Sequence, residues 1–497
     1  MTTSLNSSRC HTGIPGLDHI LGGGLPRNHL YLVQGDPGAG KTTLGLQFLL
    51  EGIRAGETGL YITLSETLSE LRGVAESHGW NLDTLSIFEL SAIEQQLEDA
   101  QQNTFFHPAE VELNKTTKVL TDEVERVKPL RVVFDSLSEM RLLAENPLRY
   151  RRQMLALKQF FAGRNSTILL LDDRSSNAGD LQIQSIAHGV LTLERAPVNF
   201  GPHRRRLEMT KLRGAKFVEG LHDYVICSGG IRVFPRLIAS EHHANFEQTS
   251  ASSGLPGFDA MLGGGLDRGT SNLFLGPAGT GKSLMALQQV LAAAQRGERC
   301  ALFLFDENLK ILRTRITRLG MPLGPFIESG QVHVQQIDPA EVTPGEFASI
   351  VKDVVENNGV SVVVIDSLNG YLNAMPDERF LSLQLHEMLT FLSQRGVISI
   401  LTVAQHGVIS HMQAPVDVTY LADTVLVLRY FEVMGAIKKA ISVIKKRTGR
   451  HESTIREYVI DKTGIALGEP LFDFSGVLSG TPVFHGQKDP ISTPDRE

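Results

Sequence analysis

Short apolar runs separated by longer amphipathic stretches set the rhythm of this chain. In its first half the runs at 30–34, 59–64, 131–134, 167–171 and 190–193 are rich in aliphatic and aromatic residues and bounded by Gly, polar or charged positions. Runs of that length and composition predict buried strands. The intervening stretches carry apolar residues at helical spacing, and helices are expected to start at Lys41, Glu66 and Arg149. Strands alternating with helices imply an α/β fold, a mostly parallel sheet with helices on both faces. The apolar runs are too short to cross a bilayer, so no membrane segment is expected.

The rhythm occurs twice, and so do many of the residues. Gly13-Ile-Pro-Gly-Leu-Asp18 returns as Gly254-Leu-Pro-Gly-Phe-Asp259, and Leu21-Gly-Gly-Gly-Leu25 as Leu262-Gly-Gly-Gly-Leu266, both 241 positions on. Over 13–42 against 254–283, 15 of 30 positions are identical without a gap. Later landmarks, such as Asp135-Ser-Leu137 and Asp366-Ser-Leu368, are 231 apart, so the first repeat carries 241 − 231 = 10 extra residues. These are expected in the Gln/Glu-rich stretch around 94–102, as a surface insertion. The polar stretch 236–253 has no periodic apolar pattern and marks the junction. The expected organisation is a first domain over 1–245, a second over 246–485 and a flexible tail over 486–497.

Composition narrows the setting. With 48 Lys+Arg against 55 Asp+Glu the net charge is −7, which argues against binding nucleic acid through bulk positive charge. Three widely spaced cysteines, Cys10, Cys227 and Cys300, form neither a disulfide framework nor a zinc set and suit a reducing compartment. The first residues are polar and lack the apolar core of a secretory signal. A cytoplasmic protein is the expectation.

Two glycine-rich segments carry the chemistry. Gly35-Asp36-Pro37-Gly38-Ala39-Gly40-Lys41-Thr42, with Thr43 after it, and Gly276-Pro277-Ala278-Gly279-Thr280-Gly281-Lys282-Ser283, followed by Leu284, both satisfy G-x-x-x-x-G-K-[ST]. Each lies between an apolar strand and a helical pattern, the context that a P-loop requires. Glycines let backbone N–H groups wrap phosphates, and the helix start adds its positive dipole end. Lys41 and Lys282 are expected to reach the β/γ-phosphates of ATP, with Thr42 and Ser283 on Mg²⁺. Asp135 and Asp366, each ending an apolar run, are the expected partners of that ion. An aspartate at a strand end also serves as a turn residue or helix cap; its recurrence in both repeats favours the metal role.

The G-[IL]-P-G-[LF]-D…L-G-G-G-L lead-in, the P-loops and the duplicated strand ending in Asp-Ser together resemble the KaiC family, double-domain RecA-type ATPases best known from the cyanobacterial clock. The resemblance runs from about residue 13 to about 484 and implies two tandem RecA-like P-loop NTPase domains. It further implies a double-layered homo-hexameric ring with ATP at subunit interfaces, slow hydrolysis in the first ring and Ser/Thr autokinase and autophosphatase activity in the second.

The family places two adjacent glutamates after the second strand, one acting as general base. Here Asp306-Glu307 retains both carboxylates, whereas Ser65-Glu66 retains one. Glu66 must take over as base or leave that site slow; read alone, it is also an ordinary dipole-favoured residue at a helix start. The family's K-x-R triplet, reaching the neighbouring subunit's γ-phosphate, matches Lys211-Leu-Arg213 and Lys445-Lys-Arg447, the latter followed by Thr448 before its glycine. Alternation along a strand puts both cations on one face, although charge that merely guards a sheet edge would look the same. Counting back from Asp423-Thr-Val425 places the family's phosphorylated pair at Thr419-Tyr420, with Thr419 the candidate acceptor and Tyr420 a departure from the pattern.

Other features mean less. Arg204-Arg-Arg206, Lys438-Lys439 and Lys445-Lys446 lack the interleaved aromatics of a single-strand binder and read as solvated or interface charge. Trp80 reads as packing. Two further functional classes fit the residues: a nucleotide-gated signalling scaffold with negligible turnover, and a DNA-dependent recombinase or helicase, which the charge balance disfavours.

Overall fold

The computed structural model describes residues 9–89, 108–144, 146–174, 180–197, 201–373, 378–405, 419–433, 435–462, 464–478 and 483–485. The expected insertion around 94–102 and the tail after 485 lie outside them. The chain divides into two compact units, Met1–Arg236 and Leu237–Glu497.

Each unit is built on one nine-stranded sheet. In the first unit the strands are β1 (Leu30–Gly35), β2 (Gly59–Thr63), β3 (Ser86–Glu89), β4 (Arg131–Asp135), β5 (Thr167–Asp173), β6 (Gly189–Ala196), β7 (Arg204–Leu212), β8 (His222–Cys227) and β9 (Gly230–Phe234). They lie in the order β3-β2-β4-β5-β1-β6-β7-β8-β9, the first six parallel and the rest antiparallel. The second unit repeats this as β10 (Ser271–Gly276), β11 (Arg299–Leu304), β12 (Val332–Gln336), β13 (Val360–Asp366), β14 (Ile398–Ala404), β15 (Thr424–Val433), β16 (Ala436–Lys446), β17 (Arg456–Asp461) and β18 (Gly464–Pro470). Their order, β12-β11-β13-β14-β10-β15-β16-β17-β18, is the same topology. All five strands expected in the first half form, some longer than the apolar runs that announced them.

Helices cover both faces and divide each core in two. On one face of the first sheet, helix α1 (Lys41–Arg54) buries Leu44, Leu46, Phe48 and Leu49. On the other, α3 (Pro108–Val127), α4 (Leu137–Ala144) and α5 (Pro147–Phe161) bury Leu120, Met140, Met154 and Phe161 among others. Helix α2 (Leu68–Ser77) begins later than the expected Glu66 because Thr67 and Glu70 form a reciprocal capping box. Helix α5 begins before Arg149 because Asn146 caps it and Pro147 occupies its first turn. Among the described residues no helix is long and apolar enough to cross a membrane.

One buried ion pair knits the edge of the first core. Arg131, 1% exposed, donates to Glu57 Oε2 (2.5 Å) and to the carbonyls of His11 (2.6 Å) and Phe48 (2.8 Å). Burial would raise the Glu57 pKa, but the hydrogen bonds from Arg131 and Arg27 outweigh it and hold the carboxyl below its usual range. Glu298 repeats the device in the second unit, where Arg268, Arg296 and Ser361 overcome burial and hold it at about 2. The polar stretch after Leu237 belongs to the second unit, where Ala239 N–H donates to Glu387 Oε2 (3.2 Å) and His242 meets Glu356 (3.0 Å).

His222, on β8, is fixed as a neutral ring: its Nδ1 accepts the Arg236 amide (2.8 Å), so Nε2 donates to the Val218 carbonyl (3.1 Å). Burial lowers its pKa, Arg236 and His19 adding to the shift and the Val218 bond and Asp223 opposing it. His188, stacked on His29 at 3.7 Å, is pushed down to about 4, first by burial and then by His29. A histidine whose folded pKa lies below its unfolded value costs nothing at neutral pH and destabilises as pH falls through about 6.5, where only the unfolded chain takes the proton. The urea midpoint of the first unit, followed through Trp80, the single tryptophan, should therefore fall between pH 7 and 5. His222→Asn should make that slope shallower, and an unchanged slope would show that the His222 ring does not resist protonation.

Candidate functional site

Parallel strands deliver the candidate residues of each unit to one end of its sheet. In the first unit the P-loop leaves β1 at Gly35, and Gly40 enters α1 with φ +95°, a left-handed conformation that favours glycine. A Cβ on Gly35 would stand 2.6 Å from the Leu193 carbonyl, so the loop also needs glycine for its closeness to β6. The Tyr224 hydroxyl holds the loop from β8 by donating to the Ala39 carbonyl (2.6 Å), and the Arg195 amide donates to Asp36 (3.2 Å). Lys41 Nζ donates to the carbonyls of Gly35 (2.9 Å) and Asp36 (3.1 Å) and is ion-paired with Asp173 at the end of β5 (2.7 Å).

Around Thr42 the acids converge. Asp135 Oδ2 accepts from Thr42 (3.0 Å) and from the buried Tyr61 hydroxyl (2.5 Å). Glu66 stands just before the α2 cap, its amide bound to Thr63 Oγ1 (2.9 Å), and Oε1 is 3.5 Å from the Thr42 hydroxyl. Its other oxygen, Oε2, is buried without a hydrogen-bond partner. Burial first, then Asp135 and Glu70, push the Glu66 pKa up to about 7. Glu66 is thus outside the helix, facing the P-loop hydroxyl.

The second unit has the same frame with different neighbours. Gly281 enters helix α6 (Lys282–Gln295) at φ +100°, the Tyr458 hydroxyl donates to the Thr280 carbonyl, and Tyr430 donates to the Ala278 carbonyl (3.3 Å). Lys282 Nζ donates to Gly276 (2.8 Å) and Pro277 (2.7 Å). At the position of Asp173 stands Ala404, paired with Gly276 as Asp173 is with Gly35. Burial pulls the Lys282 pKa down to about 8, with Asp366 opposing. Asp366 Oδ1 accepts from Thr402 (2.5 Å), Asp306 accepts from Ser367, and Glu307 is ion-paired with Arg315 (2.7 Å) on helix α7 (Leu309–Arg318).

These donors suit magnesium. Thr42 and Asp135 in the first unit, and Ser283 and Asp366 in the second, supply a hydroxyl and a carboxylate, and the unpartnered Glu66 Oε2 adds a buried acceptor. Among the described residues no group of three or more His, Cys, Asp or Glu is arranged to hold a metal by itself.

The K-x-R cations lie elsewhere. Lys211 pairs across the sheet with Val190, which is level with Leu32, three residues before Gly35; Lys445 pairs with Val425, level with Leu273, three before Gly276. Strand rise sets each pair about 10 Å down the sheet from its own P-loop strand end. There Lys211 donates to the carbonyls of Gln184 (2.5 Å) and Ala187 (2.8 Å) and Arg213 to that of Ser185 (2.8 Å). Lys445 donates to Thr419 (3.0 Å) and Ala422 (2.7 Å), and Arg447 to Tyr420 (2.8 Å). Thr419 is therefore beside this second cation pair and not beside Lys282. The other basic clusters meet acids of their own unit, as in Arg206–Asp223 (3.5 Å) and Lys438–Glu457 (3.0 Å). Trp80 packs on the first core beside the His78 ring.

Tyr61, Asp173, Thr402 and Arg315 escaped the sequence reading because each acts across strands or from a helix. Tyr224 and Tyr458 did leave a signal, since Tyr224-Val-Ile226 and Tyr458-Val-Ile460 are a further piece of the repeat.

Comparison with known proteins bears on both units. A family model described as KaiC ATPase matches twice, over residues 10–238 and 251–471. The circadian clock protein KaiC3 of Synechocystis is 26% identical, covering 97% of this chain and 96% of its own length. The circadian clock oscillator protein KaiC of Thermosynechococcus vestitus is 27% identical, over 97% of this chain and 93% of its own.

Asp173 is ion-paired with the ammonium that a P-loop lysine offers to phosphate. Asp173→Asn should tighten ATP binding at the first site about threefold, a modest gain because the carboxylate is half exposed. A fluorescent ATP analogue titrated in a Lys282→Ala background would measure it; weaker binding would mean that Asp173 steers the lysine toward its ligand.

Proposed function

Because the chain belongs to the KaiC family of ATPases, we propose that it hydrolyses ATP with magnesium at interfaces between copies of itself, in a hexameric ring. The observation that carries this reading is the place of the K-x-R pairs, which share a sheet with a P-loop but sit below it. Cations that suit a γ-phosphate and cannot approach their own serve a neighbouring copy's.

Chemistry follows from the first site. ATP phosphates draw Lys41 from Asp173 and lie along the P-loop amides. Magnesium, when bound by Thr42 and Asp135, neutralises the developing phosphate charge. Glu66 takes the proton of the attacking water, whose oxygen bonds the γ-phosphorus as the β–γ bridge breaks and ADP leaves. A carboxyl raised to about 7 is a stronger base than an ordinary glutamate and still ionised in good part at neutral pH. Burial raises Glu307 as well, but there Arg315 opposes the shift, and its place in the first unit is taken by Val74. The first unit is accordingly the principal hydrolase.

At the second site the γ-phosphate goes to a hydroxyl. Thr419 lies with Lys445 and Arg447 at the end of the sheet that faces the neighbour's nucleotide on this reading. Asp306 or Glu307 of that neighbour accepts the Thr419 proton as the Oγ–P bond forms and ADP departs. Such a phosphorylation state, read by partner proteins in the cytoplasm, suits the clock-type or signalling regulation that the relatives' names indicate.

Mixing tests the shared site. In a Lys282→Ala background, Lys41→Ala and Arg213→Ala should each be poor ATPases, Arg213→Ala with near-normal ATP binding. Equal mixtures allowed to exchange subunits should recover about a quarter of full activity, because one interface in four then joins an intact P-loop to an intact finger. No recovery despite exchange would refute the interface.

Incubation with γ-labelled ATP tests the kinase. Label should appear on the protein, vanish in Lys282→Ala and fall sharply in Thr419→Ala. Phosphate release with an unlabelled chain would leave the ATPase and remove the kinase.

A further inference from the structure

The two units hold their metal-facing aspartates by different means, and the difference is systematic. Tyr61 lies on β2, in register with Val133, two residues before Asp135. Its ring spans that gap and its hydroxyl, wholly buried, donates to Asp135 Oδ2 at 2.5 Å. The corresponding position on β11 is Leu302, in register with Val364 two residues before Asp366. A leucine has no donor to offer. Asp366 is instead held from its other neighbour: Thr402, wholly buried on β14, donates to Oδ1 at 2.5 Å. The β5 residue alongside Asp135, Leu171, occupies that place in the first unit and is again a leucine. Each unit thus has one hydroxyl and one leucine in the two flanking positions, in opposite order.

We propose that Tyr61 and Thr402 are positioning residues that orient the carboxylates of Asp135 and Asp366 toward the nucleotide's magnesium ion. The inference rests on the metal role proposed above for those two aspartates. A carboxylate turns easily about its terminal torsion, whereas magnesium demands near-octahedral oxygens at short range. A buried hydroxyl donating to one carboxylate oxygen removes that freedom before the ion arrives. If the phenol of Tyr61 merely sought any acceptor, the second unit, with leucine in its place, would not need a substitute. It has one, from another strand and another residue type, on the equivalent carboxylate. What the repeats share is a donor to this carboxylate, not a residue at one position.

The test separates metal from nucleotide. In full-length Lys282→Ala chain, which keeps only the first site, affinity for a fluorescent ATP analogue is measured in EDTA and across a magnesium titration. Tyr61→Phe, nearly isosteric, should leave the EDTA affinity unchanged and raise the magnesium concentration for half-maximal effect about tenfold. In Lys41→Ala chain Thr402→Val should do the same at the second site, and Thr402→Ser should restore the normal requirement. An unchanged magnesium requirement overturns the inference, as does an EDTA affinity that falls in step, which would mark a purely structural hydroxyl. Asp135→Asn distinguishes the levels. If it raises the magnesium requirement and Tyr61→Phe does not, the positioning role alone is lost. If Asp135→Asn has no effect, the metal role fails and the inference goes with it.

Discussion

The carboxyl ends of β1, β2, β4 and β5 lie at one end of the sheet because these strands run parallel, and the nucleotide site follows from that constraint. Gly35, Thr63, Asp135 and Asp173 are the last residues of four neighbouring strands. Lys41 can therefore meet Asp173, and Thr42 can meet Asp135, across chain separations of more than ninety residues without a long loop reaching over. The antiparallel strands β7 and β16 break the pattern. They begin at the P-loop end and finish at the other, carrying Lys211 and Lys445 away from their own glycine loops. On the proposed reading, one change of strand direction separates the groups that hold a phosphate from the groups that reach for another copy's.

Duplication preserved this frame while its electrostatics drifted. The first P-loop lysine has an aspartate beside it and a glutamate raised to about 7 nearby; the second has an alanine in place of the aspartate and a glutamate bound to arginine. With alanine in the place of Asp173, Lys282 sits among carbonyls, and burial pulls its pKa down to about 8. Arg315 pairs with Glu307 and opposes the rise that burial imposes on its pKa. Both differences change the charges around the second unit's lysine and glutamate without touching the glycines that shape the loop. On the proposed reading, that is how one scaffold supports faster hydrolysis in one unit and transfer to a hydroxyl in the other.

Sequence alone sufficed for whatever recurs at fixed spacing. The repeat, both P-loops, the aspartates ending β4 and β13 and the parallel sheet could be read because local pattern and glycine chemistry encode them. Helix starts near Glu66 and Arg149 moved by two residues where Thr67 and Asn146 took the cap, a short-range signal overlooked beside the apolar rhythm. Tyr61, Thr402 and Asp173 were beyond reach for a different reason. A tyrosine in an apolar run reads as core, and only the register of β2 on β4 brings its hydroxyl to Asp135. The K-x-R pairs were visible as motifs, but the distance from their own P-loops depends on strand order, which pattern does not carry.

Ser65 illustrates how far a missing residue can be judged without its surroundings. The lone Glu66 invited two readings, an ordinary helix-start residue or a base working without its partner. The capping box places α2 after it, so the helix dipole has little claim on Glu66, while Thr63 holds its backbone. With a second acid at Ser65 the site would carry another negative charge within reach of Asp135 and Glu66. Like charges raise one another's pKa and compete for the same donors. A serine relieves that repulsion, and Glu66 keeps an unpartnered oxygen near Thr42. On the proposed reading Ser65 leaves the first site a single candidate base, while the second, which has both carboxylates, holds one with Ser367 and the other with Arg315.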